Sequence, residues 1–379
     1  MPELSILITG DFYVADRYRG KAIFDASVTD LFAGAGYRVV NLETPLTGRN
    51  KRLRILKTGP HLQSEPGTIL PLLKALKTDL VTLANNHIMD YGPSGLRDTL
   101  AALEEARIET VGAGMSLEEA SRPFFLEKNG QRLAFLNFAE HEWGTAGATR
   151  PGAGPLDVID NVKQIQAARR QAEHVIVIIH GGLEHFPLPT PLMVKQYRFY
   201  AEQGASAIVG HHGHIACGAE VHQRVPIFYG LGNFLLTIPT DRETCYTGLV
   251  LDLRARTGGA LSWSLVPVRQ SKPDHRLSRL AGPEAAAVLA DVEARSRTIA
   301  DEASLTAAWK ALLGERRRSY LNFYSPLNLV PGRFLRDALT KLGLDRLFVR
   351  RRHYAQILNT MKCETHAEAS KSVIEDFLE

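Results

Sequence analysis

Several features that would assign a protein class at once are scarce or missing in this sequence. It contains three cysteines in 379 residues, and none of them forms a CxxC pair, so we expect neither a disulfide framework nor a cysteine-based zinc site. No run of 18 or more apolar residues occurs, and the N-terminal run Leu4–Ile8 is too short for a signal peptide or a membrane span. We therefore expect a cytoplasmic protein without a membrane-spanning helix.

Two classes of ligand are also disfavoured. The net charge of +4 is too small for the whole chain to bind nucleic acid, and no known reader motif is present. A GxxxxGK[ST] phosphate loop is absent, which argues against a polymer ligase or transferase driven by a nucleotide. The remaining composition, with 45% hydrophobic and 23% charged residues, is that of an ordinary globular protein.

Short apolar runs rich in β-branched residues alternate with helical patterns in the first half of the chain. The predicted strands are Leu4–Thr9, Tyr37–Val40, Asp79–Leu83, Leu133–Asn137, Val175–Ile179 and Ala207–Val209. The predicted helices are Thr68–Lys77, Ser94–Ala106, Ile159–Ala172 and Lys195–Gln203. Alternation of this kind predicts a layered α/β architecture.

The pattern changes after residue 270, and we place a domain boundary there. Before it, the runs Gly248–Leu253 and Leu261–Val266 flank two glycines, which predicts a β-hairpin that closes domain 1–270. After it we find no further strand pattern and predict a helical extension, 271–379. Its predicted helices are Pro283–Ile299, Ser304–Tyr320 and Pro331–Leu347.

Most predicted strands of the first domain are followed, within about five residues, by polar side chains that can bind a metal. These residues are Asp11, Asn41, Glu43, Asn86, His87, His180, His212 and His214. Each one alone has an ordinary explanation, such as a turn, a helix cap or a satisfied polar group. Together, carboxylate, amide and imidazole ligands at the carboxyl ends of strands predict a site for Zn, Mn or Fe.

Six strings carry a resemblance to a known family. GDFYV, NLETPL, LANNHIMDYG, HGGLEH, VGHHGH and PIFYGLGNF, in this order, resemble the CapA/PgsA family of capsule and poly-γ-glutamate synthesis proteins. The resemblance covers about residues 3–268. It implies the fold of the calcineurin-like metallophosphoesterases, a four-layer αββα sandwich.

The resemblance also implies two adjacent metal positions that share one carboxylate. The first, which we call the four-ligand position, comprises Glu43, Asn86, His180 and His212. The second, the three-ligand position, comprises Asp11, Glu43 and His214. We expect one or two divalent ions, with Glu43 as the bridging carboxylate.

Three further residues match positions with catalytic roles in the superfamily. His87 corresponds to the histidine that protonates the leaving group. Asp90 is expected to accept the other imidazole N–H of His87, or alternatively to cap a loop. Glu184 is expected to be a base or a contact for a substrate amine, or alternatively a solvated charge. His141 and Glu142 follow another strand, and we expect them to lie outside the pocket.

The chain departs from the superfamily pattern in the ligands themselves. Tyr13 stands where a histidine ligand is usual, and Asn41 where an aspartate is usual. Fewer ligands and less negative charge predict weaker binding of the ion near Asp11. His180 is followed by two glycines instead of the Trp-Gly common in the family, which predicts a wider pocket.

Two functions follow as expectations from the resemblance. The first is a metal-dependent hydrolase of a phosphoester, or of an amide or ester bond, acting in the synthesis of a capsule or poly-γ-glutamate-type polymer. The second is a non-catalytic accessory protein that binds an anionic polymer or a synthase.

The C-terminal extension is markedly basic between residues 310 and 353, with 11 Lys/Arg and 3 Asp/Glu. Two arginine clusters, 316–318 and 350–352, flank apolar residues at helical spacing, from Phe334 to Leu342. Such a helix can contact a synthase partner or a membrane surface. Alternatively, it is a docked helix with a solvated charged face.

Overall fold

A computed structural model describes residues 3–323 and 332–344, together with single residues and pairs between 354 and 378. The chain divides into two compact units, Met1–Leu305 and Thr306–Glu379.

The strands are β1 Leu4–Tyr13, β2 Tyr37–Leu42, β3 Leu80–Thr82, β4 Glu109–Val111, β5 Ala113–Gly114, β6 Phe124–Lys128, β7 Gln131–Ala139, β8 Gly152–Ala153, β9 His174–His180, β10 Ala207–His211, β11 Ala219–His222, β12 Val225–Phe228, β13 Asn233–Leu236, β14 Thr247–Ala255, β15 Ser262–Gln270 and β16 Leu277–Arg279. The helices are α1 Ala26–Ala33, α2 Pro66–Ala75, α3 Gly92–Glu105, α4 Leu117–Ala120, α5 Val158–Arg169, α6 Pro191–Glu202, α7 Gly282–Ala300, α8 Glu302–Phe323 and α9 Arg333–Lys341.

Two mixed sheets organise the first unit. In the first sheet the strand order is β16-β15-β14-β1-β2-β3-β4, and β13 pairs with the last part of β1. In the second sheet the order is β11-β12-β10-β9-β7-β6. Strands β1, β2, β3 and β4 run parallel, as do β7, β9, β10 and β12, so their carboxyl ends lie together at one edge of each sheet.

The two sheets pack face to face through apolar side chains. Leu4, Ile6 and Ile8 alternate along β1 and meet Phe135 and Ile176 of the second sheet, all fully buried. Residues two apart on a strand share a face, so this alternation follows directly from the sequence. Replacing a buried phenylalanine such as Phe135 by alanine would cost about 3 to 5 kcal/mol of stability.

The outer face of each sheet is covered by helices. Leu7, between the inward residues of β1, packs with Phe32 of α1 and Leu73 of α2. On the second sheet, Val177 of β9 packs with Ile165 of α5 and with residues of α6. The order helix, sheet, sheet, helix is the four-layer sandwich that the resemblance implied, and the predicted fold class is confirmed.

The segment after residue 270 differs from the prediction. Strand β16 pairs antiparallel with β15, so the expectation of no further strand was wrong. Three residues at a sheet edge are too few to show a periodic pattern. Helix α7 buries Val292 among the apolar side chains between the sheets and Ile299 among those that pack with α5 and α6. The first compact unit therefore runs past the predicted boundary to Leu305.

The hairpin at the end of the first domain is present as predicted. β14 and β15 pair antiparallel from Thr247↔Arg269 to Arg254↔Ser262, with the two glycines in the intervening turn. Within the described residues, no helix combines the length and apolarity needed to cross a bilayer.

The second unit contains the predicted amphipathic segment. Helix α9 forms within the range predicted for it, and Phe334 and Leu342 are strongly exposed, at 92% and 73%. The arginine cluster 350–352 lies outside the described residues, so the predicted contact with a membrane or synthase stays a prediction.

Candidate metal centre

The predicted ligands lie at the edge where the carboxyl ends of both sheets meet. Asp11 is on β1 and Glu43 follows β2, whereas Asn86 lies in the loop after β3. The second sheet contributes its residues from the ends of two adjacent strands: His180 ends β9, and His212 and His214 follow β10.

The four-ligand position has atoms at the spacing of a coordination shell. His180 Nε2 lies 3.2 Å from Asn86 Oδ1, 3.1 Å from His212 Nδ1 and 3.5 Å from Glu43 Oε1. Atoms about 2.1 Å from one ion lie about 3.0 to 3.4 Å apart at octahedral or tetrahedral angles. The four side chains therefore converge as a ligand set would.

The three-ligand position is looser. His214 Nδ1 lies 3.3 Å from Asp11 Oδ2, and His214 Nε2 lies 3.9 Å from Glu43 Oε1. Ligand atoms of Asp11, Glu43 and His214 nevertheless fall within 4.8 Å of one another, as do those of Glu43, His180 and His212. Glu43 belongs to both groups, in the bridging place that the resemblance implied.

The Glu43 carboxylate is the clearest sign that these residues suit a cation. Its side chain is fully buried, and within the described residues neither Oε1 nor Oε2 receives a hydrogen bond. A buried carboxylate without a donor is costly, because nothing replaces the water that it has lost. A divalent ion on either side of Glu43 would supply that missing partner, so the donor set fits a divalent metal.

The protonation of the ligands favours metal binding in the four-ligand position. Burial lowers the pKa of both His180 and His212, because loss of water disfavours the charged imidazolium. Neutral imidazole is the form that binds metals. Burial, followed by the charge of Asp11, raises the pKa of Glu43.

The three-ligand position is electrostatically different. Burial alone would lower the pKa of His214, but the charges of Glu43 and Asp11 raise it to about 10. Burial alone would likewise raise the pKa of Asp11, yet the hydrogen bond and charge of His214 hold it below its usual value. The acidic neighbours of His214 therefore favour its protonated form, and an ion in this position would have to displace that proton.

The backbone is strained at both histidines of the His212-Gly213-His214 turn. Their φ angles are 88° and 56°, in the left-handed region that few non-glycine residues adopt. Such conformations cost free energy and cluster at functional sites. Here the left-handed backbone at His212 and His214 occurs where one short loop places two imidazoles at the two adjacent metal positions.

A buried triad lies beside the ligands. His87 Nδ1 is 2.7 Å from Asp90 Oδ2, which is one of the two roles that the sequence left open for Asp90. The other Asp90 oxygen forms an ion pair with Lys57, whose side chain is only 2% exposed, and the backbone N–H of Leu62 also donates to Asp90. Burial lowers the pKa of His87, and the hydrogen bond to Asp90 opposes this effect.

The carboxylates at the mouth of the pocket differ from expectation. Glu142 was expected outside the pocket, but its carboxylate lies 3.4 Å from His212 Nε2 and accepts a hydrogen bond from Asn86 Nδ2. This expectation was wrong because the loop after β7 folds back over the strand ends. Glu184 is half exposed, and its charge is among those that raise the pKa of His214 and Glu43. His141 is exposed.

Of the two residues that depart from the superfamily pattern, Asn41 contacts a ligand and Tyr13 lies among apolar side chains. Asn41 Nδ2 donates to Asp11 Oδ1, and Asn41 Oδ1 accepts from Thr82, so both ends of the amide are engaged. Tyr13 packs among apolar side chains, and burial raises the pKa of its phenol. A phenol that stays protonated is a poor substitute for the missing histidine.

Sequence reasoning missed two residues of the site. Lys57 comes from a loop that contains other basic residues, and no strand-end rule marks it. Asn233 Oδ1 accepts a hydrogen bond of 2.9 Å from His214 Nδ1, and Asn233 Nδ2 donates to the carbonyl of Cys245. The GNF string could have drawn attention to Asn233. Gly232, next to Asn233 in the chain, approaches Gly10 closely. A Cβ on Gly10 would lie 1.9 Å from the carbonyl oxygen of Gly232.

The sequence model of the family described as bacterial capsule synthesis protein PGA_cap matches residues 5–237. The chain belongs to this family. The resemblance carried by the six strings is therefore confirmed.

Curated relatives from this family cover only part of the chain. The PGA biosynthesis protein CapA of Bacillus subtilis strain 168 is 33% identical over 211 residues, 55% of each chain. A probable polyglutamine synthesis accessory protein of Mycobacterium tuberculosis is 30% identical over 226 residues, 56% of this chain and 57% of that protein. The chain thus spans about half the length of these relatives.

Among solved structures, a phosphatase from Mycoplasma pneumoniae aligns with 73% of this chain and 96% of its own, at 9% identity and a TM-score of 0.45.

Proposed function

We propose that this chain is a metal-dependent hydrolase that acts in the synthesis of a capsule or poly-γ-glutamate-type polymer. The bond it cleaves is a phosphoester, or an amide or ester. The observation that carries the proposal is the buried Glu43 carboxylate, which receives no hydrogen bond from the described part of the chain and belongs to two converging groups of ligands.

The candidate ligands form two positions that would hold divalent ions with different affinity. Glu43, Asn86, His180 and His212 would hold a Zn, Mn or Fe ion, and Asp11 and His214, with Glu43, would hold a second one more weakly. A divalent ion in this place supplies Lewis-acid chemistry and makes water nucleophilic at neutral pH.

The residues beside the metal ligands would transfer a proton to the leaving group. His87 is tied through Nδ1 to Asp90, which leaves Nε2 to exchange a proton with the leaving group. Asp90 stabilises the imidazolium form, and Lys57 holds Asp90 in place. Glu184, at the mouth of the pocket, would act as a base or contact an amine of the substrate.

The proposal also covers the substrate, the cellular location and the partner of the reaction. The substrate would be an anionic polymer or a phosphorylated small molecule in the cytoplasm. The basic 310–353 segment would contact a synthase or a membrane surface, since α9 exposes Phe334 and Leu342 next to Lys341.

The test uses the full chain with Mn²⁺ or Zn²⁺ and three chromogenic probes: a phosphomonoester, a phosphodiester and a γ-glutamyl anilide. At least one probe should be hydrolysed, and chelator or His180→Ala should abolish the reaction. Absence of turnover on all three probes, with an ion bound at the four-ligand position, would count against a hydrolase of these bonds.

A second candidate is a non-catalytic accessory protein, and the name of the mycobacterial relative favours it. In that case the ion would be structural, and the chain would bind a polyglutamate without shortening it. Gel filtration of a labelled poly-γ-glutamate before and after incubation with the metal-loaded chain separates the two candidates. Unchanged polymer length together with co-elution would support the accessory role.

A further inference from the structure

Glu142, a carboxylate at the mouth of the pocket, lies close to two of the candidate ligands at once. Its Oε1 lies 3.4 Å from His212 Nε2, and its Oε2 accepts a hydrogen bond of 3.3 Å from Asn86 Nδ2. The side chain is 34% exposed, so it reaches the ligands from the solvent side of the pocket.

An ionised carboxylate accepts hydrogen bonds but cannot donate them. A carboxylate 3.4 Å from Nε2 favours the tautomer of His212 that carries its proton on that atom, which leaves the lone pair of Nδ1 available. That Nδ1 is the atom 3.1 Å from His180 Nε2. The charge of Glu142 thus favours the histidine tautomer that presents a ligand atom to the four-ligand position.

The same argument applies to the amide of Asn86. A carboxylate beside one end of the amide requires the NH₂ group there, which turns Oδ1 the other way. Asn86 Oδ1 is the atom 3.2 Å from His180 Nε2. The amide oxygen is the only end of an asparagine that binds a hard or borderline cation well.

We propose that Glu142 is a positioning residue, which orients both His212 and Asn86 so that their ligand atoms point at the four-ligand position. Partners of this kind typically contribute 10- to 100-fold to metal affinity. The inference rests on the metal site of the proposed function, but not on its hydrolytic activity.

Glu142→Gln tests the inference, because an amide can accept from only one of the two N–H groups and brings a competing NH₂. We expect the Zn²⁺ dissociation constant of the four-ligand position to rise about 10- to 100-fold in a competition titration of the full chain. The absorption spectrum of the Co²⁺-loaded chain should also change, since a misdirected His212 or Asn86 alters the coordination. Glu142→Asp keeps the charge and should retain part of the affinity.

Glu202→Gln is the matched control, because it makes the same substitution in a carboxylate of similar exposure that pairs with a histidine, His222, outside the metal centre. Its effect on the Zn²⁺ dissociation constant should be less than about threefold, as for a partly exposed charge. Unchanged affinity and spectrum in Glu142→Gln, or equal losses in both variants, would overturn the positioning role while leaving the metal site intact. A wild-type chain that binds no divalent ion would overturn the metal site itself, and the inference with it.

Discussion

Asn86 Oδ1 lies 3.2 Å from His180 Nε2, although the two residues are 94 positions apart in the chain. Asn86 follows β3 of the first sheet, and His180 ends β9 of the second. The contact therefore exists only because the two sheets pack with their parallel carboxyl edges on the same side. A ligand pair that bridges the sheets makes metal binding depend on the complete sandwich rather than on one loop.

The two metal positions should differ in affinity. His180→Ala should abolish the tighter site in a titration of metal-free chain with Zn²⁺ or Mn²⁺, because His180 Nε2 is the atom on which the other ligands converge. Asp11→Asn should mainly weaken the second site. Tyr13→Phe is the control and should change neither, since its phenol lies among apolar side chains. Two equally tight sites in the wild type would show that the ligand assignment is incomplete.

His87 should serve the reaction rather than the metal. His87→Ala should lower the turnover number for any hydrolysed probe about 100-fold or more, the usual scale for a general acid. Metal content, measured by elemental analysis of the purified variant, should stay at the wild-type value, because His87 Nδ1 is engaged by Asp90. Loss of metal from this variant would instead identify His87 as a ligand.

Lys57 should matter for stability because it neutralises a buried charge. Lys57→Met leaves Asp90 without its cation at zero exposure, and this should lower the free energy of unfolding by about 3 to 5 kcal/mol. Denaturant titration measures the loss. Lys163→Met is the control, since Lys163 pairs with Asp160 on the surface and should change stability little.

Adding Asp90→Asn to Lys57→Met should recover part of the lost stability, because the uncompensated charge is then gone. Strictly additive losses in the double variant would show that the two side chains do not form the ion pair described here.

Glu220 should make part of the free energy of unfolding depend on pH. Arg198 donates two hydrogen bonds to it, at 2.9 and 2.7 Å, and Tyr229 donates a third. Burial alone would raise the pKa of Glu220, but these hydrogen bonds hold it below its ordinary value of 4.5. The stabilisation is therefore present above about pH 4.5 and is lost as the pH falls through the lower pKa of the folded state.

Glu220→Gln should accordingly lower the free energy of unfolding by about 1 to 3 kcal/mol at pH 7. Unfolding curves measured from pH 7 to pH 3 should show the difference from wild type shrinking with acidity. A difference that stays constant over this range would mean that the charge of Glu220 contributes nothing. Glu118→Gln, at a highly exposed position, should track the wild type throughout.

Much of the fold could be predicted from local patterns. The strands of the first domain are short runs of buried β-branched residues, and the ligands at their ends follow from the geometry of parallel sheets. Helix α1 and strand β16 were missed because a single short element leaves too few turns or alternations to recognise.

The supporting residues were harder to predict, because their roles depend on loops. Lys57 and Glu142 meet the site only after their loops fold back over the strand ends, and nothing in the local sequence fixes that path. Asn41 illustrates the reverse case. Its position was evident from the sequence. Only the structure shows that its amide is hydrogen-bonded to Asp11 and Thr82 rather than directed to an ion.

The most direct test of the account is anomalous diffraction from crystals of the full chain grown with Mn²⁺ or Zn²⁺. We expect a strong peak about 2.1 Å from both His180 Nε2 and His212 Nδ1, with Glu43 and Asn86 completing the shell. A weaker peak, or none, should lie between Asp11 and His214. A crystal of the folded chain that binds the metal ion elsewhere, or that has no ion at Glu43 at saturating metal concentration, would contradict the proposed metal site.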